Sequence, residues 1–146
     1  MRILNTAIAA LTLTLAGPAL AAETAKQATL YKNPQCSCCE EYAKYLRESG
    51  FDVKVVMTHD LPLIRKEHGV PADLEGCHTT LVGNYVVEGH VPLTTLNRLL
   101  TERPAIKGIS LPGMPMGSPG MAGRKVEPFT MYEISGDATP KVYAVE

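Results

Sequence analysis

The sequence predicts a single α/β domain of element order β-α-β-α-β-β-α, followed by a methionine-rich loop and a C-terminal β-hairpin. Three observations carry that prediction. Short aliphatic runs alternate with segments of helical spacing as far as Pro104. Gly or Pro stands at most of the breaks between them. The stretch from Leu111 to Gly123 is so rich in Pro and Gly that neither a regular helix nor a central strand fits it.

The elements follow in order. Glu23–Gln27 is a polar lead-in, Ala28–Tyr31 reads as a strand and Lys32–Gln35 as a loop. Cys38–Glu48 reads as a helix, because Cys39, Tyr42, Ala43 and Leu46 recur at helical spacing and Gly50 closes it. Phe51–Met57 is a Val-rich second strand, so the βαβ unit makes a parallel pair with a right-handed crossover. Asp60 caps a helix over Leu61–His68, which Gly69 and Pro71 stop. Thr79–Val82 and Tyr85–Glu88 read as strands joined by the two-residue turn Gly83-Asn84. Pro92 opens a helix with Leu93, Leu96, Leu99 and Leu100 on one face, ended by Pro104. This is the order of the thioredoxin fold. Phe129–Ile134 and Lys141–Val145 form the terminal hairpin around Gly136-Asp137, and no internal repeat is present.

The first residues are set apart from this domain. Met1 and Arg2 precede the apolar run Ile3–Leu15, then Gly17-Pro18, then the small-x-small signature Ala19-Leu20-Ala21. That is the layout of a secretory signal peptide over residues 1–21, cleaved near Ala21 or Ala22, which leaves one domain over residues 28–146 in the periplasm. The run is short of the roughly 20 residues of a membrane span, and no other stretch is long and apolar enough, so no anchor is expected after cleavage. Cleavage removes Arg2 and no acid, moving the formal charge from −1 to −2. No basic surplus exists to neutralise phosphates, which argues against nucleic acid as a partner. Trp is absent and Phe occurs twice, which argues against a sugar-stacking platform.

The four cysteines, Cys36, Cys38, Cys39 and Cys77, are the strongest chemical signal. An even count in an exported chain ordinarily suggests structural disulfides. Three of these thiols are clustered, and crosslinks within such a cluster close loops too small to restrain the unfolded chain. Clustering suits sulfurs that meet one metal or one another. The cluster opens the first helix, where unpaired N–H groups and the positive dipole end favour thiolate. Cys36 and Cys39 form a C-x-x-C pair and are the candidate redox residues. Cys38 adds a third sulfur, and the strand order places Cys77 beside the trio. His78 follows Cys77, and Glu88 and His90 end the strand antiparallel to it. His59 and His68 are weaker candidates. The competing readings are packing for Cys39, a solvent-facing side chain for His78 and a helix buttress for His90.

Met114, Met116 and Met121 lie among Gly and Pro, off any amphipathic face. Thiolate, thioether and imidazole together select Cu(I), as one ion or several bridged by sulfur. Zinc is the competitor, but the spacing lacks a second C-x-x-C and zinc has little use for thioether. The candidate metal ligands are Cys36, Cys38, Cys39, Cys77, His78, His90, Met114, Met116 and Met121.

Four segments carry a family likeness: Tyr31-Lys-Asn-Pro-Gln-Cys-Ser-Cys-Cys39, Cys77-His-Thr-Thr80, Val86-Val-Glu-Gly-His-Val-Pro92 and Pro112-Gly-Met-Pro-Met-Gly-Ser-Pro-Gly-Met121. Through them the chain resembles the CopG-type periplasmic copper-resistance proteins, long described as a domain of unknown function. The resemblance implies a thioredoxin-like fold, copper binding through the cysteines and a part in copper tolerance, with Cys36, Cys38, Cys39, Cys77 and the Met loop as family positions. The family often has an acid after the last Met, where this chain has Ala122. Thioredoxins place a cis-proline before the third strand, where this chain reads Cys77-His78-Thr79-Thr80. Glutaredoxin-linked arsenate reductases share the look of Tyr31–Ser37, but the arginines that hold their oxyanion are not evident around Cys77. Three functions are therefore weighed. The first is a copper-binding redox protein, an enzyme only if copper/thiol oxidoreductase turnover is found. The second is a passive carrier passing copper to an efflux pump or oxidase. The third is a metal-free thiol–disulfide oxidoreductase.

Overall fold

The computed structural model describes residues 26–146; the leader expected at residues 1–21 and its expected cleavage near Ala21 or Ala22 lie outside the described residues. The elements are β1 (Lys26–Lys32), α1 (Ser37–Glu48), β2 (Phe51–Met57), α2 (Leu61–His68), a short 3-10 turn (Ala72–Leu74), β3 (His78–Val82), β4 (Tyr85–Glu88), α3 (Leu93–Glu102), β5 (Gly108–Ser110), β6 (Thr130–Ile134) and β7 (Val142–Val145). The seven strands form one mixed sheet in the order β2-β1-β3-β4-β5-β6-β7. β1 and β2 are parallel, β3 is antiparallel to both β1 and β4, and β5 is parallel to β4.

Two differences from the sequence reading have physical causes. Lys26 and Gln27 belong to β1, where they stand opposite Phe51 and Asp52, and are not part of a loose lead-in. β5 has no counterpart in the sequence reading, because three residues are too few to show a period-2 pattern and its first is a glycine. Gly108 is required there: a Cβ at this position would overlap the Val86 carbonyl of the neighbouring strand. Through β5, the terminal hairpin of β6 and β7 continues the main sheet.

Alternation along the strands divides the core in two. Cys39, Tyr42, Ala43 and Leu46 of α1 and Leu96 and Leu99 of α3 pack with Leu30, Val82, Val87 and Ile109 in the larger cluster. Leu30, Leu46, Leu96 and Leu99 are fully buried there, each stabilising the fold by about 1.5–3 kcal/mol. Val70 and Leu74, which follow α2, pack with Val86 and Ile134 in the smaller cluster. α2 ends on Gly69 in the left-handed region, with Gly69 N–H donating to Lys66 and Val70 N–H to Arg65. The register sets Lys32 opposite His78 and Thr79 opposite Glu88. The end of β1, the start of β3 and the end of β4 thus share one sheet edge. Among the described residues no helix is long and apolar enough to cross a membrane.

Candidate metal centre

Cys36 is the N-cap of α1, with an extended backbone and no side-chain cap. The turn before it closes through Cys36 N–H donating to the Asn33 carbonyl at 3.0 Å. No side-chain oxygen competes for the first N–H groups of the helix, so the sulfurs occupy its positive end. Cys36 and Cys39 are joined as a disulfide with their Cα atoms 5.5 Å apart, and Cys38 and Cys77 are free.

Neighbouring β1 and β3 bring Cys77 to this helix end. Its Sγ lies 3.7 Å from Cys39 Sγ and 3.9 Å from Cys38 Sγ, and Cys38 Sγ lies 3.5 Å from Cys36 Sγ. All four sulfurs fall within 4.8 Å of one another. Cys77 also meets two imidazoles, His90 Nε2 at 2.8 Å and His78 Nδ1 at 3.2 Å. His90 Nδ1 lies 2.6 Å from the Pro119 carbonyl, which only accepts. That contact assigns the proton to Nδ1 and leaves the Nε2 lone pair facing Cys77. His78 is fully buried, not solvent-facing, and its Nε2 has no partner among the described residues.

Burial sets the protonation of this pocket. It pushes the Cys77 thiol up to about 12, with the neighbouring Cys38 adding to the effect. It holds His78 well below the usual histidine value, helped by the charges of His90 and Arg65. It lowers His90 too, opposed in part by the hydrogen bond to Pro119. Neutral imidazoles and a protonated Cys77 are the resting forms near neutral pH. Tyr42 roofs the imidazoles, its ring centroid 4.7 Å from that of His78 and 5.3 Å from that of His90, while its O–H donates to the Val91 carbonyl at 2.9 Å.

One end of the Met loop is strapped across α1. Gly120, at φ +82°, lies so close that a Cβ would stand 2.7 Å from Tyr42 N and 3.0 Å from the Cys38 carbonyl. Met121, beside it, is half-buried. Met114 and Met116 are each 57 % exposed, and Met116 packs on Gly123. Near the other end, Gly113 N–H donates to the Glu75 carbonyl at 3.2 Å.

Glu88 is near Cys77 along the chain but faces the opposite side of the sheet, hydrogen-bonded to Thr79, Arg65 and Gly76. His59 is exposed and His68 half-buried. Three contributors escaped the sequence reading. Pro119 acts through its carbonyl, which leaves no residue-type signal. Arg65 looks like any surface arginine of a short helix. Lys32 is buried under the cysteine loop, its Nζ 3.1 Å from Glu40 Oε1 and donating to the Asn33 and Pro34 carbonyls at 3.4 and 3.3 Å. Its alternation with Ala28 and Leu30 on the inward face of β1 was the available signal.

No curated protein matches the chain. A family model described as a protein of unknown function, DUF411, matches residues 74–121, the span holding Cys77, His78, His90 and the Met loop. Two solved structures are similar, "Copper resistance protein copG- Form 2" and "Copper resistance protein copG- Form 1". Each is 30% identical with a TM-score of 0.76, covering 83% of this chain and 98% and 97% of theirs respectively.

Proposed function

The chain belongs to the family of the CopG copper-resistance proteins, and from that premise we propose that it is a periplasmic protein that holds Cu(I) through Cys36, Cys38, Cys39 and Cys77 and interconverts the redox states of copper and thiol. The observation that supports it best is the gathering of four sulfurs within 4.8 Å of one another, with His90 Nε2 2.8 Å from Cys77. Thiolate sulfur is a soft donor that prefers Cu(I), and several close thiolates can bridge more than one ion. His78 Nε2 is a buried nitrogen without a partner among the described residues, a lone pair or N–H that a metal-site rearrangement would satisfy. Met121, next in the chain to the strapped Gly120, would be the thioether to join, with the exposed Met114 and Met116 as outer sulfurs.

Thiol redox follows from the same cluster. Reducing the Cys36–Cys39 disulfide takes two electrons and two protons and yields two thiols. A pair of Cu(I) ions passing to Cu(II) supplies those two electrons; a small-molecule thiol passing to its own disulfide supplies two electrons and two protons. The four free thiols then bind Cu(I) as thiolates, releasing their protons as metal enters. Reoxidation to disulfide passes two electrons to a pair of Cu(II) ions, which become Cu(I), and, counted from the free thiols, two protons to solvent; it withdraws the ligands and frees copper for an efflux or redox partner protein. Zinc competes for the same Cys and His donors but gains little from thioether.

A second reading is favoured by the disulfide at a helix N-terminus: a metal-free thiol–disulfide oxidoreductase. The two separate by experiment. Anaerobically reduced protein should take up Cu(I) tightly in competition with a chelator, and lose that uptake in Cys36→Ser and Cys77→Ser. Protein that binds zinc, ignores Cu(I) and reduces insulin disulfides in metal-free buffer would replace the copper reading with the second one.

A further inference from the structure

Behind the sulfurs, on the α2 side of the sheet, lies a buried ion pair whose partners are peptide, hydroxyl and carboxylate groups. Glu88 is fully buried and Arg65 nearly so. Glu88 Oε1 accepts from Arg65 Nε at 2.9 Å and from the Gly76 N–H at 2.9 Å, and lies 2.8 Å from Arg65 Nη2. Glu88 Oε2 accepts from the Thr79 hydroxyl at 2.6 Å. Arg65 Nη2 also donates to the Gly76 carbonyl at 2.7 Å, and Nη1 to Glu75 Oε2 at 3.1 Å.

The pair therefore holds both polar groups of Gly76, the residue before Cys77. Glu88 itself stands two residues before His90. Between them, Gly76 and Gly89 touch backbone to backbone: a Cβ on Gly76 would stand 2.7 Å from Gly89 Cα and 2.9 Å from Gly89 N. The Gly89 N–H also donates to the His78 carbonyl at 3.0 Å. Only glycines allow this approach, and the ion pair fixes its orientation.

Stability is a weak account of such a pair. A buried ion pair is often no more stabilising than well-packed apolar residues of the same volume. What the arginine fork supplies is direction, through a planar set of donors that fixes a carboxylate and a carbonyl together. Here that direction is spent on the two backbone segments that aim Cys77 and His90 at each other.

We infer that Arg65 and Glu88 are positioning residues of the metal centre, holding the Gly76–Cys77 and Gly89–His90 peptides from the far side of the sheet so that Cys77 Sγ and His90 Nε2 stand at ligand spacing before any metal arrives. The inference rests on the copper reading for what the centre binds; the positioning is a property of the metal-free chain.

The test begins without metal. Cys38 and Cys77 are the free thiols of the disulfide-containing protein, and Cys38 rides on α1 as an internal reference. Alkylation by iodoacetamide under non-reducing conditions, mapped by mass spectrometry, gives the ratio of their rates. Arg65→Met/Glu88→Gln removes both charges together and leaves no lone buried ion. In this variant Cys77 should react several-fold faster relative to Cys38, and Cu(I) affinity by chelator competition should fall about 10-fold, as for other residues that orient metal ligands. Thr79→Val, which removes one donor to Glu88 and keeps both charges, should move both readouts the same way by less. Thr79→Ser, which keeps the hydroxyl, should restore them.

A folded double variant with the wild-type alkylation ratio overturns the inference. If the double variant does not fold, Thr79→Val and Thr79→Ser giving the same ratio overturns it equally. A shifted ratio in a protein whose wild type binds no Cu(I) upholds the positioning and overturns the copper reading alone.

Discussion

The two faces of one sheet edge follow opposite rules. On the α2 face, both Glu88 oxygens are engaged, and Arg65 spreads its donors over two carboxylates and a carbonyl. On the α1 face of the same strands, His78 Nε2 has no partner among the described residues, the Cys77 thiol is pushed up to about 12 and both imidazoles are held below their ordinary range. Adjacent residues serve the two sides: His78 turns toward Tyr42, and Thr79 toward Glu88. A satisfied buried network makes the backbone rigid, whereas a buried nitrogen without a partner is a group that a bound ion or water would satisfy. Period-2 alternation thus lets one short stretch be mount and site at once.

The contrast can be broken most sharply from the mount. Arg65→Met alone strands the Glu88 carboxylate in the interior and should lower the unfolding free energy by about 3–5 kcal/mol, read by urea denaturation. Arg65→Met/Glu88→Gln should recover most of that loss. Equal stability of the single and double variants would mean that the α2 face is not the satisfied half its geometry describes. The site face should respond the other way. Cys77→Ser should change stability by no more than about 1 kcal/mol, yet weaken Cu(I) binding about 100-fold, near 2.8 kcal/mol. A Cys77→Ser protein that unfolds but still binds Cu(I) normally would exchange the roles of the two faces.

The same contrast explains how much could be read from the sequence. The α1 spacing of Cys39, Tyr42, Ala43 and Leu46 is visible because burial follows helical period, and those four are its buried residues. The meeting of Cys77 with the trio follows from β1 and β3 being neighbours, which the element order implies. The mount was hidden. Arg65 and Glu88 lie 23 residues apart, and neither residue type signals burial. The Pro119 carbonyl was hidden for another reason, since every residue has one and only the tertiary path aims it at His90. β5 was hidden by its brevity, and the inward lysine at Lys32 by the habit of reading charge as surface.

Protonation also separates the two faces. An unfolded histidine takes up its proton near pH 6.5, while burial keeps native His78 and His90 from doing so until lower pH. The unfolded chain therefore binds more protons below 6.5, and stability is lost as pH falls, by up to about 1.4 kcal/mol per pH unit for each histidine. Cys77 acts on the alkaline side. Unfolded, it loses its proton near 9.0, but in the native chain only near 12, so stability falls as pH rises above 9. Urea midpoints of the metal-free protein at acid, neutral and alkaline pH should trace a plateau between these limbs. Cys77→Ser should flatten the alkaline limb between pH 9.0 and 10.0, below the point at which Tyr42 and Tyr143, both also pushed up by burial in the native chain, begin to contribute; an unchanged limb in that window would remove the buried thiol as its source.

The strap should respond more mildly than either face. Gly120→Ala places a side chain at φ +82° against the Tyr42 N and the Cys38 carbonyl, both backbone atoms that do not yield easily. The left-handed conformation alone costs about 1–2 kcal/mol for an L-residue, so the loop should lift from α1. Pro119 would then release His90 Nδ1, and the imidazole would lose the contact that presents Nε2 to Cys77. Cu(I) affinity should fall a few-fold, through aim and not through loss of a donor. Met114→Leu and Met116→Leu should change stability by less than about 0.5 kcal/mol, because both side chains are largely in solvent. Their effect on Cu(I) separates two uses of the loop. A loss smaller than that of Gly120→Ala makes the loop chiefly a strap that orients His90. A larger loss means that the exposed thioethers swing onto the copper, and the unsatisfied face then reaches well beyond the edge of the sheet.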